Sequence, residues 1–264
     1  MTKDLMLAGI LLYAAFAGVA WFLSDRMIFL PPASSYGARS LPVTLAKTED
    51  GVEVAVLHLP NPAARYTLLF SHGNAEDLGH LLPLLEELHA AGFGVLAYDY
   101  RGYGLSSDRA PSARGAYLDQ AAAYRYATQE LKIPASRLII HGRSLGTGPA
   151  VALAVREPIG GLIVESGFVS AFRVMTRVPL LPFDKFQNLR HIKNVRCPVL
   201  IIHGIEDAVI PLWHGRRLFA AAQGAKQAWW VEGAGHNDLA LVAGMDYLRK
   251  LRDFALSVDR LAGH

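Results

Sequence analysis

Leu138-Ile139-Ile140-His141-Gly142-Arg143-Ser144-Leu145-Gly146-Thr147 compresses three kinds of local structure into one short stretch. Its first four residues are an apolar run of strand type, and the positions beyond Gly146 (Thr147, Ala150, Val151, Ala152, Leu153) follow helical spacing. Gly142 and Gly146 bracket a turn between the two. A serine at the apex of such a strand-to-helix turn has strained backbone angles and an exposed hydroxyl, and glycines flank it because side chains there would strike the adjoining strand and helix. The helix start just beyond it favours developing negative charge. In a chain with 24 glycines the pentapeptide alone is a moderate signal, and its two flanks strengthen it. Ser144 is therefore the candidate nucleophile toward an acyl carbonyl.

Outward from this turn, short apolar runs alternate with longer segments of helical spacing. The strand candidates are 52–59, 66–71, 94–98, 138–141, 161–164, 199–203 and 227–231, and the helical intervals are about 76–91, 113–130, 145–155, 213–222 and 238–257. Most of the runs are continuously apolar, as strands buried on both faces are. The alternation predicts an α/β fold with a mostly parallel sheet and helices on both faces. Ligands of such sheets lie at the carboxyl ends of strands, so the chemistry belongs in the loops that follow them.

A serine hydroxyl needs a base, and the chain has 10 histidines. His236 sits in the small-residue loop after the last strand, Gly233-Ala234-Gly235-His236-Asn237-Asp238, where it can reach the top of the sheet. His58 and His141 fall within or at the end of strands, His80 and His89 on the first helix of the α/β alternation, and His264 is the final residue. His72 and His203 precede glycines at strand ends, positions suited to shaping a loop. The acid that orients the imidazole is assigned to Asp207, directly after the apolar strand 199–203, with Glu165 as first rival and Glu206 one position early. For the oxyanion, one donor is the backbone N–H of Leu145 and the other that of Asn74 in His72-Gly73-Asn74-Ala75-Glu76-Asp77, with the Ala75 N–H second.

Lys+Arg 26 against Asp+Glu 23, a net charge of +3, is too balanced a surface to indicate nucleic acid. The lone cysteine, Cys197, excludes an internal disulfide and a cysteine-rich metal site. The chemistry read here calls for no metal and no cofactor. Hydrophobic residues make up 52% of the chain, and the excess is concentrated at the start. From Leu5 to Leu23 no residue is charged, a stretch long enough to cross about 30 Å of hydrocarbon as a helix. Residues 1–30 are thus expected to be a single-pass membrane anchor. A cleaved signal peptide is the alternative, because Ala15-Phe16-Ala17 and Gly18-Val19-Ala20 resemble cleavage sites, whereas the apolar run continues through Trp21-Phe22-Leu23. Residues 31–264 form the expected catalytic domain, with a short cap at about 167–196 whose aromatic and aliphatic residues either line an acyl pocket or pack on the core.

The motifs 72–79, 98–106 (Tyr98-Asp99-Tyr100-Arg101-Gly102-Tyr103-Gly104-Leu105-Ser106), 142–147, 203–207 and 233–238 resemble, in order, those of the membrane-tethered branch of the α/β-hydrolases. That branch includes the α/β-hydrolase domain-containing proteins 12, 13 and 17 and bacterial relatives. The resemblance implies an α/β-hydrolase fold, the triad order Ser144, Asp207, His236, and hydrolysis of acyl esters or thioesters, lysophospholipids and protein-bound palmitate among them. It also implies that Tyr98–Gly104 is a structural turn. Type 17 members attach through a cysteine-rich, lipidated N-terminus, whereas this chain has an apolar helix and no cysteine there. The competing classes are a catalytically silent binding or scaffold protein on the same fold, and a serine peptidase.

Overall fold

The computed structural model describes residues 3–262; His264, named above among the histidines, and Met1, Thr2 and Gly263 at the two ends of the chain lie outside the described residues. The chain opens with a long helix, α1 (Lys3–Ile28), followed by an antiparallel hairpin, β1 (Val43–Lys47) and β2 (Glu53–Leu59). Then come β3 (Thr67–Ser71), α2 (Leu78–Ala90), β4 (Gly94–Tyr98), α3 (Ala113–Arg125), β5 (Leu138–Arg143), α4 (Thr147–Arg156) and β6 (Gly161–Glu165). The cap contributes α5 (Ala171–Thr176) and α6 (Asn188–His191), and the fold ends with β7 (Val199–Gly204), α7 (Trp213–Ala221), β8 (Lys226–Val231), α8 (Leu239–Ala243) and α9 (Met245–Ala262).

Eight strands form one sheet in the order β1-β2-β4-β3-β5-β6-β7-β8, parallel from β4 through β8 and antiparallel at the β1–β2 and β2–β4 pairs. Side chains alternate between two cores. Leu69, Ile140, Leu162, Val164 and Ile201 face α3, α4 and α7, whereas Leu68, Phe70, Ile139, Ile163 and Leu200 face α2 and α9. Burial on both faces explains why these strands read as unbroken apolar runs. Each such aliphatic side chain contributes about 1.5–3 kcal/mol by leaving water, which fixes the register to which the loops are attached.

Three features depart from the sequence reading. β1 was not expected: only Ala46 of this edge strand is buried, so its residues carry no continuous apolar signal. The expected 113–130 helix ends as a π-type turn over Tyr126–Glu130. The expected 238–257 helix is two, interrupted at Gly244, whose φ is +53°.

The sheet aligns the ends that matter. Ser71 pairs with Gly142, Arg143 with Glu165, and Gly204 with Val231, so the loops after β3, β5, β7 and β8 leave the same edge of the sheet.

Candidate active site

Ser144 lies where β5 turns into a short 3-10 turn (Ser144–Gly146) and then α4, and its φ is +51°. That left-handed conformation is costly for a residue with a Cβ and points to an imposed geometry. The flanking glycines pack as the sequence requires. A Cβ on Gly142 would lie 2.6 Å from the Gly146 carbonyl oxygen and 2.7 Å from the Ala150 Cβ, and one on Gly146 would strike the Ser71 carbonyl.

The Ser144 hydroxyl is 2.9 Å from His236 Nε2, and His236 Nδ1 is 2.7 Å from Asp207 Oδ2. The Asp207 carboxylate is buried, with its other oxygen accepting the N–H groups of Val209 at 3.0 Å and Ile210 at 2.7 Å. Those two bonds are a helix-cap-like clamp that fixes the carboxylate plane. The histidine loop is held in turn, since Gly235 N–H donates to Asp238 Oδ1 at 2.7 Å and Glu206 N–H to the Ala234 carbonyl at 3.0 Å. The structure thus brings Ser144, His236 and Asp207 together from three strand ends.

Glu165 is elsewhere. Its carboxylate accepts from His141 Nε2 of β5 at 2.8 Å and from the Tyr247 hydroxyl of α9 at 2.7 Å, whereas the acid on His236 Nδ1 is Asp207. Burial pushes this carboxyl upward, but the His141 hydrogen bond and charge, the Arg143 charge and the Tyr247 hydroxyl prevail and hold it below the ordinary glutamate range. Glu206 is exposed. His203 donates to the Ile210 carbonyl at 2.7 Å and stands 3.5 Å from Asp207, so it supports the loop that carries the acid. Burial lowers its pKa and favours the neutral ring. The loop-shaping role expected of His72 also fits its contacts: it is fully buried, with Nδ1 2.6 Å from the Gly73 carbonyl and Nε2 3.4 Å from Asp99.

On the oxyanion side, Gly73 faces the nucleophile: a Cβ built on it would be 3.5 Å from the Ser144 Cβ. The Ala75 N–H, the second choice of donor, is engaged by Asn74 Oδ1 at 3.0 Å. The Leu145 N–H belongs to the first turn of the helix, where no preceding intrahelical carbonyl reaches it. Glu76 joins loop and elbow, accepting the Gly73 N–H at 2.5 Å and pairing with Arg143.

Sequence reasoning missed one set of contacts. The Asn74 side chain reaches back to the end of α1, donating from Nδ2 to the Ile28 carbonyl at 2.7 Å and accepting at Oδ1 from the Leu30 N–H at 2.9 Å and the Tyr103 hydroxyl at 2.7 Å. No local pattern announces pairs separated by 29 to 46 residues. Asn74→Ala deletes all of these bonds. The main-chain N–H remains but the loop that aims it loosens, so kcat is expected to fall about tenfold, less than the 10²-fold or more of losing an oxyanion donor outright, with KM changed less; steady-state kinetics on a soluble ester check it.

A family model described as serine aminopeptidase, S33, matches residues 62–184, a span that holds Asn74 and Ser144 and stops short of Asp207 and His236. The α/β-hydrolase domain-containing protein 17B of Homo sapiens is 39% identical over 214 residues, covering 80% of this chain and 73% of that protein. The chain belongs to the α/β-hydrolase superfamily. Another superfamily relative, the α/β-hydrolase domain-containing protein aho-3 of Caenorhabditis elegans, is 39% identical over 201 residues; the match covers 74% of this chain and 59% of the nematode protein's length. Among solved structures, the Pyrococcus furiosus esterase Pf2001 superposes with a TM-score of 0.72 at 17% identity, covering 86% of this chain and 97% of that one. The esterase RhEst1 from Rhodococcus sp. ECU1013 gives 0.65 at 18% identity, covering 82% and 99%. At such identity these two speak for the fold alone. The motif order across 72–238 thus has its explanation in common descent with other hydrolases of the superfamily.

The Tyr98–Gly104 turn is structural, as the resemblance implied. Asp99 accepts from Tyr36 and from the Leu78 N–H, and Arg101 binds Asp119 and Asp50 at 2.8 and 2.7 Å, which ties the sheet edge to α3.

Proposed function

We propose that this protein is a membrane-anchored serine hydrolase that cleaves carboxylic ester or thioester bonds of an acyl substrate. The observation that carries the proposal is the line Ser144 Oγ, His236 Nε2, Asp207 Oδ2, with steps of 2.9 and 2.7 Å ending in a buried, doubly clamped carboxylate. In this reading His236 takes the Ser144 proton as Oγ attacks the acyl carbonyl, and returns it to the leaving alcohol or thiol. Asp207 holds the ring with Nδ1–H toward itself and stabilises the imidazolium. The N–H groups of Asn74 and Leu145 receive the oxyanion, and α4 beyond Leu145 adds its positive end. Water, activated by the same histidine, then releases the acid from the acyl-enzyme. Residues 31–264 are the catalytic part, and α1 is the anchor; its length and mean hydropathy of 2.1 meet the requirement for a span.

The family model's description favours a second reading, an aminopeptidase. Recognition of a substrate α-ammonium needs an uncommitted carboxylate beside the nucleophile. Glu76, on the loop that carries Gly73, is already paired with Arg143 and the Gly73 N–H. The apolar walls of the cap also suit an acyl chain. A panel of p-nitrophenyl esters, acyl thioesters and aminoacyl anilides separates the two readings. Turnover of esters and thioesters well above anilides is expected; preferential cleavage of anilides would overturn the ester assignment.

A further inference from the structure

α1 does not stand apart from the catalytic fold. The Tyr13 hydroxyl donates to the Leu180 carbonyl at 2.8 Å, Trp21 meets Phe183 edge to face with ring centroids 5.0 Å apart, and Asp25 pairs with Lys185 at 2.7 Å. Between α1 and the cap lies a cavity of about 400 Å³, inside the roughly 300–1,000 Å³ range of small-molecule sites. Phe16, Val19 and Leu23 form one wall; Phe172, Leu181 and Phe183 form the other. Several of the polar groups along it are engaged by neighbours. Ser24 Oγ donates to the Trp21 carbonyl, Thr176 Oγ1 to the Phe172 carbonyl, Arg173 Nε to the Arg177 carbonyl, and Asp184 accepts from Ser170 and Phe172. Most of the surface left to attract a ligand is apolar.

The α1 wall is tied to the Asn74 loop, and the cap is tied to the start of α4. Ile28 lines the cavity, and its carbonyl accepts from the side chain of Asn74. On the other side, Asn188 at the end of the cap donates to Thr147 Oγ1 at 3.3 Å, three residues past Ser144. The cavity follows α1 from Ile28 back to Phe16, about 18 Å at 1.5 Å per residue. That is a long, narrow space, suited to an extended alkyl chain.

Its depth identifies the source of the chain. Tyr13 is near the middle of the uncharged stretch 5–23, so a cap that touches it through Leu180 reaches into the hydrocarbon when α1 spans the bilayer. The cap is built for that surrounding, since Met175, Val178 and Leu180 are exposed apolar residues at its tip.

The geometry points to an acyl-chain site formed jointly by α1 and the cap, which receives one unbranched chain laterally from the bilayer and leads its carboxyl end toward Ser144. This rests on the reading of Ser144 as nucleophile and α1 as a membrane helix. The cap then serves as an embedded wall, and α1 is a part of the substrate site as well as an anchor.

The test uses the full-length protein in phospholipid vesicles and an alkyl fluorophosphonate with a diazirine at the end of a long chain. The head group is fixed on Ser144, irradiation links the tail to whatever lies beside it, and peptide mass spectrometry maps the link. Links within 16–28 and 172–183 are expected, and links confined to other surfaces would overturn the proposal. Without Ser144 labelling the hydrolase reading fails, and palmitate carrying the same diazirine then interrogates the site directly: links inside those two stretches support the acyl-chain site, and links only outside them overturn it. Ala20→Trp narrows the cavity and is expected to lower kcat/KM for palmitoyl relative to butyryl ester about tenfold, the worth of one to two methylenes. Leu12→Trp, on the outer face of α1, is expected to leave that ratio unchanged. An unaltered ratio in Ala20→Trp counts against the proposal.

Discussion

Ser144→Ala is expected to lower kcat for p-nitrophenyl butyrate by about 10⁶-fold, the scale on which loss of a nucleophile in a serine triad is felt, and to abolish labelling by a fluorophosphonate. The size of the loss follows from the chemistry: without Oγ no acyl-enzyme forms, and His236 is left to activate water in a site shaped for a covalent intermediate. The fold should survive, since alanine keeps the Cβ and removes only the hydroxyl that meets His236 Nε2. A companion variant separates chemistry from backbone strain. At φ +51° a glycine is at ease where serine is not, so Ser144→Gly is expected to be as inactive as the alanine variant yet more stable by about 1 kcal/mol. Urea unfolding reads the stability and probe labelling reads the nucleophile. Substantial ester turnover by a folded Ser144→Ala protein would sink the assignment.

The contrast between what the sequence disclosed and what it did not has a physical basis. The central strands were legible because burial on both faces demands unbroken apolar runs such as Leu138–Ile140 and Val199–Ile202. The elbow was legible because Gly142 and Gly146 are forced by contacts with their immediate surroundings, the Ser71 carbonyl among them. Asp207 and His236 stand out in the sequence by position alone, at strand ends on the side where ligands bind, and the fold sets them 2.7 Å apart. Edge strand β1 was not, since one buried residue leaves no pattern. The cap aromatics were left between two roles, and the structure divides them: Phe168 and Phe186 enter the core, while Phe172 and Phe183 line the cavity beside α1. Such a division depends on which remote element packs there, and neither spacing nor composition reports that α1 does.

The choice of acid is the place where sequence left a rival, and it yields the second large effect. Asp207→Asn is expected to reduce kcat about 10⁴-fold, and the surrounding bonds explain why an isosteric change does so much. Oδ1 is required as an acceptor by the Val209 and Ile210 N–H groups, so an amide at 207 must turn its carbonyl to them and its NH₂ to His236 Nδ1. The imidazole then keeps its proton on Nε2 and presents no lone pair to Ser144. Glu165→Gln should behave differently, with kcat within a few-fold of the parent and a stability loss of about 2 kcal/mol as the His141 and Tyr247 bonds weaken. The sign of its pH dependence follows from the lowered folded-state pKa of Glu165. Such a carboxylate stabilises the fold above the unfolded-state value near 4.3, and the contribution fades as pH falls through the folded value. The stability gap between parent and Glu165→Gln is therefore expected to be full near neutrality and to close in acid, as urea titrations at several pH values will read. If instead Glu165→Gln loses turnover by orders of magnitude while Asp207→Asn loses little, the acid is Glu165, and the loop after β7 has only a structural part.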